Sequence, residues 1–261
     1  MSTDRSAEIA ERLGAKVLRL SQNAGAANAR NVGAQHASGD ILVFVDADVA
    51  LAGDAISRIE SDLMDGNISC VQALYSRHCP VENFASQYQN FYQFYNFDKI
   101  KARYIEIAST YCFAIRRKDF VPFNVDHRTA EDGEWGHRLF RQGKRILLDK
   151  KLTVEHLQQF TLRKILRRSF RISADKAWSV KHYRAQVATN LGKTHHSRIK
   201  IAAILLSPIP PLFWLLSGDF FYFIFKQKGA VFLLKTMAFH EVNYLASLTG
   251  LVAGTLRGES R

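Results

Sequence analysis

Ile41-Leu42-Val43-Phe44-Val45-Asp46-Ala47-Asp48 is the stretch on which the fold turns. Five apolar residues without a break predict a strand buried on both faces, as at the centre of an α/β sheet. Residues two apart on extended backbone point the same way. Both carboxylates are therefore expected beyond the carboxyl end of that strand, where open α/β sheets bind ligands. Two hard oxygen donors there suit Mg²⁺ or Mn²⁺ held between protein and phosphates. A lone D-x-D is common, and a polar strand end that caps the next helix explains it equally well. The pair takes its meaning from its neighbours.

Upstream, Ser6 to Leu13 has a mixed-charge helical pattern ending at Gly14, and Lys16 to Leu20 reads as a short strand. Met1 to Arg5 does not read as a signal peptide. Ala26, Ala27, Ala29, Gly33 and Ala34 predict a helix packed very closely, preceded by Asn23-Ala24-Gly25 and carrying Arg30 and Asn31. A helix N-terminus with an arginine one turn in is an anion site, and tight packing explains the small residues anyway. Downstream, Asp54 to Met64 reads as a helix, Val71 to Tyr75 and Ile107 to Ile115 as strands, and Glu131 to Arg141 as a helix. Arg145 to Leu148 reads as a short strand, and Thr153 to Glu155 as a strand end before His156. Strands alternating with helices make the fold class α/β. Glu131-Asp132 opens its helix, where the dipole favours acids; one such carboxylate is also a candidate general base. His156 is a candidate metal ligand, though a single histidine is more often structural.

The 261 residues carry a net charge of +12. Residues 150–200 hold 13 Lys and Arg against Glu155 and Asp175, so nearly all of the excess lies there. Such a block meets nucleic acid, an anionic membrane or phosphorylated ligands. No nucleic-acid module accompanies it, so nucleic acid ranks last. The 47% apolar content excludes wholesale disorder. Cys70, Cys79 and Cys112 form no C-x-x-C pair, which argues against a zinc ribbon or a disulfide framework. Residues 84–97 are dense in aromatics, expected in a core or at an interfacial surface. After Lys200 the chain turns apolar. Residues 201–218 carry no charge but include Pro208, Pro210 and Pro211, and 229–256 contain Lys235, His240 and Glu241. Membrane association is expected; the sequence admits either a spanning helix or one lying in the interface.

In this order the pieces resemble the family 2 glycosyltransferases, which have the GT-A fold. The matching text is Ser2-Thr3-Asp4 and Ser6; Asn23-x-Gly25-x-x-x-Ala29-Arg30-Asn31-x-Gly33; Ser38-Gly39-Asp40 before the 41–48 stretch; and Glu131-Asp132 before Arg138-Leu139 and Gly143. His156 and Arg167-Arg168-Ser169-Phe170-Arg171 continue it, so the match covers roughly residues 2–175. The resemblance implies a GT-A, Rossmann-like mixed sheet. It assigns divalent metal, Mg²⁺ or Mn²⁺, to Asp48 and Asp46 with His156 near the metal or diphosphate. It puts Asp46, Arg30, Asn31 and Asn23 on the donor side. It makes Asp132 the catalytic base, with Glu131 positioning the acceptor. The implied reaction is inverting transfer from a nucleotide-sugar donor. With the tail and the basic block, the acceptor is expected to be lipid-linked or an envelope polysaccharide, at the cytoplasmic face of the membrane. The family's opening strand-helix-strand unit has no counterpart here. The sheet is therefore expected to be N-terminally incomplete, and a catalytically impaired remnant or binding subunit is the alternative. The expected organisation is a GT-A-like domain over 1–155, a basic juxtamembrane helical segment over 156–200 and an apolar membrane-associated hairpin over 201–256.

Overall fold

The computed structural model describes residues 4–125, 131–182 and 195–257. Ser2 and Thr3 of the matching text, and Arg184 and Lys193 of the basic block, lie outside the described residues. The chain forms two compact units that interleave along the sequence.

The first unit comprises Met1–Ala47, Gly53–Ala73 and Ala102–Leu152. Its strands β1 (Ile41–Val45) and β5 (Cys112–Arg116) pair antiparallel from Ile41↔Arg116 to Val45↔Cys112. β5 then pairs antiparallel with β3 (Cys70–Tyr75), and the order continues to β6 (Ile146–His156), which also carries the short β4 (Tyr104–Ile105). The amides of Ser69 and Ser76 donate to the carbonyls of Arg145 and Val154, so β3 and β6 advance in the same direction and the sheet is mixed. β1 is therefore not central. It ends the strand order, with β5 as its one strand partner among the described residues, and Val43 and Val45 are exposed. An apolar run predicts burial only when a neighbour covers each side. Lys16 to Leu20 joins no ladder. Ile107 to Ile115 is not one strand either. Buried Gln72 accepts from the Ser109 amide and donates to the Cys112 carbonyl, so a side chain supplies bonds that a ladder would otherwise make there.

Around these strands lie α1 (Ser6–Arg12), α2 (Gly25–His36), α3 (Ala55–Met64) and α5 (Glu131–Arg141). α2 buries only Ala27 and Ala34. Its last turn is held by Arg117, which donates to the carbonyls of Gly39 and Ala34. α5 is anchored by fully buried Trp135 and Leu139, with the Trp135 indole donating to the Val121 carbonyl. A side chain at Gly136 would meet the Ala108 amide nitrogen at 2.6 Å, so glycine sets how closely α5 approaches residues 106–108. All three cysteines are free and buried, and burial pushes the Cys112 thiol up to about 12.

The second unit comprises Asp48–Ala52, Leu74–Lys101 and Thr153–Arg261. Here β2 (Val49–Leu51) pairs antiparallel with the end of β6, Val49 opposite His156. The rest is helical: α4 (Phe84–Asp98), α6 (Leu162–His182), α7 (His195–Leu206), α8 (Pro210–Leu216) and α9 (Gly218–Leu256). The Asn83 side chain accepts from the Ser86 amide and starts α4. Pro210 starts α8, where a missing amide costs nothing. α9 bends at Gly229, whose φ of 75° favours glycine.

The aromatic segment is a core helix. Tyr88, Phe91 and Tyr95 pack with Phe213, Phe220, Phe239 and Tyr244. The Tyr88 hydroxyl lies 2.7 Å from His240 Nδ1, and the Tyr92 and Tyr244 hydroxyls lie 3.0 Å apart. Burial, aided by the Lys200 charge, lowers His240 to about 3, so the ring is neutral in the folded chain. α6 and α9 touch backbone to backbone. A Cβ on Gly250 would fall 2.3 Å from the Phe170 carbonyl oxygen, and one on Gly254 2.1 Å from that of Ala174. These pairs advance together along both helices, so the helices run parallel. Among the described residues no helix is long and apolar enough to cross a membrane.

Candidate functional site

In the first unit, α2, the end of β1 and the start of α5 bring three charged side chains together. Arg30 Nη2 donates to Asp46 Oδ1 at 3.0 Å, and its Nη1 donates to Glu131 Oε1 at 3.1 Å. The Arg30 side chain is only 15% exposed, against 39% for Asp46. One guanidinium thus bridges the first D-x-D carboxylate and the first carboxylate of Glu131-Asp132. Its planar fork suits this task, which a lysine would perform less well. Phe123 lies beneath, with the guanidinium carbon 5.8 Å from its ring.

Two neighbours serve as tethers. Asn31 Nδ2 donates to the Phe123 carbonyl at 2.9 Å, and its Oδ1 accepts from the Phe123 amide at 2.7 Å. Both ends of this amide are spent on one residue, which fixes α2 against the segment leading to α5. Asn23 Oδ1 accepts from the Gly25 amide at 3.1 Å, a local turn that launches α2. Gly25 itself has φ 86°. Asp132 Oδ1 accepts from the Gly133 amide at 2.8 Å. The carboxylate tied to Arg30 is therefore that of Glu131, and the pairing of Arg30 with both acids is not apparent from the motifs alone.

The second unit brings together Asp48 and His156. Their Oδ2 and Nε2 atoms are 3.6 Å apart. β2 sets this distance, because Val49 faces His156 across the ladder and the Leu157 amide donates to the Asp48 carbonyl at 2.7 Å. The His156 ring stacks on Tyr75 with centroids 5.0 Å apart and is otherwise buried. Next along the strand, Glu155 Oε1 lies 2.7 Å from His78 Nδ1, a pair that the sequence reading does not single out. Among the described residues no three His, Cys, Asp or Glu side chains gather as a metal site. Asp48 and His156 would suit a divalent ion only as two members of a larger set, completed by oxygens from outside the protein. Asp46 has its near oxygen committed to Arg30.

Residues 1–123 match the model of Glycosyl transferase family 2. The resemblance to family 2 glycosyltransferases holds. No curated protein sequence matches the chain. Among solved structures, the chain is similar to the mannosyltransferase PcManGT from Pyrobaculum calidifontis, in complex with GDP-Man and Mn²⁺. The TM-score is 0.57 and the identity 17%, over 97% of this chain and 74% of that one. It is also similar to glucosyl-3-phosphoglycerate synthase from Mycobacterium tuberculosis. There the TM-score is 0.45 and the identity 18%, over 67% of this chain and 64% of that one. At such identities the first likeness speaks for the fold, a mixed α/β sheet of GT-A type. The family and these neighbours are sugar-transferring enzymes.

Proposed function

We propose that the chain is an inverting, metal-dependent glycosyltransferase. It would move a sugar from a nucleotide-sugar donor to a lipid-linked or envelope-polysaccharide acceptor at the cytoplasmic face of the membrane. The observation that carries the transfer chemistry is the Arg30 bridge between Asp46 and Glu131. It joins a donor-side carboxylate to the helix that bears the candidate base, as ordered transfer requires. In this reading Asp132 takes the proton from the acceptor hydroxyl. The acceptor oxygen forms its bond to the anomeric carbon from the face opposite the diphosphate, and the bond from that carbon to the diphosphate oxygen breaks. The nucleoside diphosphate departs with that electron pair. Glu131 keeps Arg30 in place and so orients Asp46. Asn31 and Asn23 support the donor side by fixing α2. A divalent ion held by Asp48 and His156 would supply charge neutralisation for the diphosphate. The Mn²⁺ of the mannosyltransferase structure and the mixed O/N donor pair favour Mn²⁺ over Mg²⁺.

The apolar helices and the basic block support the membrane part of the reading. The test is transfer from a panel of labelled GDP- and UDP-sugars to a polyprenyl phosphate and to a soluble glycan, with Mn²⁺ or Mg²⁺. Transfer that vanishes in Asp132→Asn and Asp48→Ala supports the assignment. Unchanged transfer in both variants overturns it.

A further inference from the structure

The part of α9 beyond Gly229 turns a row of aliphatic side chains outward. Positions 231, 234, 238, 242, 245, 249, 252 and 256 follow three- and four-residue steps and form one face. Along it Val231 is 70% exposed, Leu234 67% and Leu256 78%, and Val242 and Val252 are about half exposed. The buried face carries Thr236, Phe239, His240, Asn243, Tyr244, Gly250 and Gly254, so polar and small residues share it with two aromatic rings. A helix that meets water on its outer face carries polar and charged side chains there instead. Close backbone packing through small residues, with hydrogen-bonding groups turned inward and aliphatic groups outward, is how helices pack where the solvent is hydrocarbon.

The charges bordering this face narrow the occupant. Exposed Lys226, Lys228 and Lys235 lie on the same helix and Arg257 follows its end, while its acids Asp219 and Glu241 accept hydrogen bonds from Lys99 and the Trp214 indole. The neighbouring α6 exposes Arg163, Arg167 and Arg171 four residues apart. A second copy of the chain would bring like charges together along such a seam, whereas a paired helix needs complementary ones. An anionic lipid surface neutralises them. Trp214 and Tyr222, both partly exposed, have the apolar body and polar tip found at headgroup level.

We infer that the Val231–Leu256 face of α9 is a bilayer-docking surface. It lies in the plane of an anionic leaflet with its aliphatic row in the acyl region, without crossing the membrane. This deepens the membrane part of the proposed function and does not depend on the transfer chemistry. The test uses the full chain with vesicles of phosphatidylcholine, with or without phosphatidylglycerol. The protein is expected to sediment with the anionic vesicles. Leu234→Gln with Val242→Gln should weaken that binding by at least about tenfold while the far-ultraviolet dichroism is retained. An environment-sensitive dye on Val242→Cys should shift to the blue on mixing with anionic vesicles, a readout that does not need the double variant to fold. Equal vesicle binding by the double variant, an unshifted dye, or a vesicle-free dimer that shields the dye would each overturn the inference. Absence of vesicle binding alongside retained sugar transfer sinks the docking surface alone. Vesicle binding without transfer to any acceptor sinks the transfer reading alone.

Discussion

The two units are held together by different means. The first is ordered around its candidate site by charge and by amide hydrogen bonds: Arg30 to two acids, Asn31 to Phe123, Gln72 to the 109–112 segment. The second is ordered by aromatic rings and by backbone contact at Gly250 and Gly254, with neutral hydroxyl and imidazole groups sealed inside. Charge networks position groups for chemistry and are sensitive to single atoms. Aromatic and small-residue packing supplies stability and is sensitive to volume. Substitutions in the two units should therefore fail in different assays.

The largest expected effect is in the first unit. Asp132→Asn should reduce the transfer rate by about 10²- to 10⁴-fold with little change in thermal stability, measured as initial rates at saturating donor. A loss of stability in step with the rate would break the distinction. Next comes packing. Gly254→Ala places a methyl group against the Ala174 carbonyl and should cost about 1–3 kcal/mol, seen as a lower urea midpoint. Transfer to a soluble acceptor should persist in it. Gly136→Ala also meets backbone, the Ala108 nitrogen at 2.6 Å, but there the shift moves the helix that bears Glu131 and Asp132, so transfer should fall as well.

A third effect follows from His240. Burial lowers its pKa to about 3, below the usual histidine value near 6.5. As pH falls below the unfolded value, the unfolded chain takes up a proton that the folded chain refuses. Stability should then decline by up to about 1.4 kcal/mol per pH unit between pH 6.5 and 3. Urea titrations of the wild type and His240→Gln across pH 5 to 7 should differ in slope, with the wild type the steeper. The smallest effect is at the surface. Asp219 accepts from Lys99 Nζ at 2.8 Å and holds that ammonium pKa above its usual value, yet the carboxylate is 79% exposed. Asp219→Asn should change the urea midpoint by less than about 1 kcal/mol equivalent, since water screens the pair. A larger cost would mean that ion pairs, and not rings, hold the helices.

The same contrast explains what the sequence revealed. β1 and α5 are legible because apolar runs and helical periodicity are local, and each forms over the residues expected of it. In the sequence β6 reads as two pieces because Asp149-Lys150-Lys151 interrupts the apolar run. In the structure the backbone continues through them, with Lys150 and Lys151 turned outward and Leu152, Val154 and His156 buried in alternation. The position of β1 at the end of the order was illegible, since burial belongs to neighbours and not to the run itself. The motifs indicated which acids to consider. They did not show that Arg30 would hold Asp46 and Glu131 at once, or that Tyr88 would meet His240, because those partners are set by tertiary folding.

The span of these contacts has a consequence during synthesis. Arg30 and Glu131 are 101 residues apart, and Tyr88 and His240 are 152 apart. A chain still emerging from the ribosome carries Arg30 and Asp46 long before Glu131 exists to complete their bridge. It exposes the aromatic helix before the segment that buries it exists. Assembly of the candidate site thus waits until about the middle of the chain has been made, and the nascent intermediate presents a row of uncovered rings to whatever surface lies nearby.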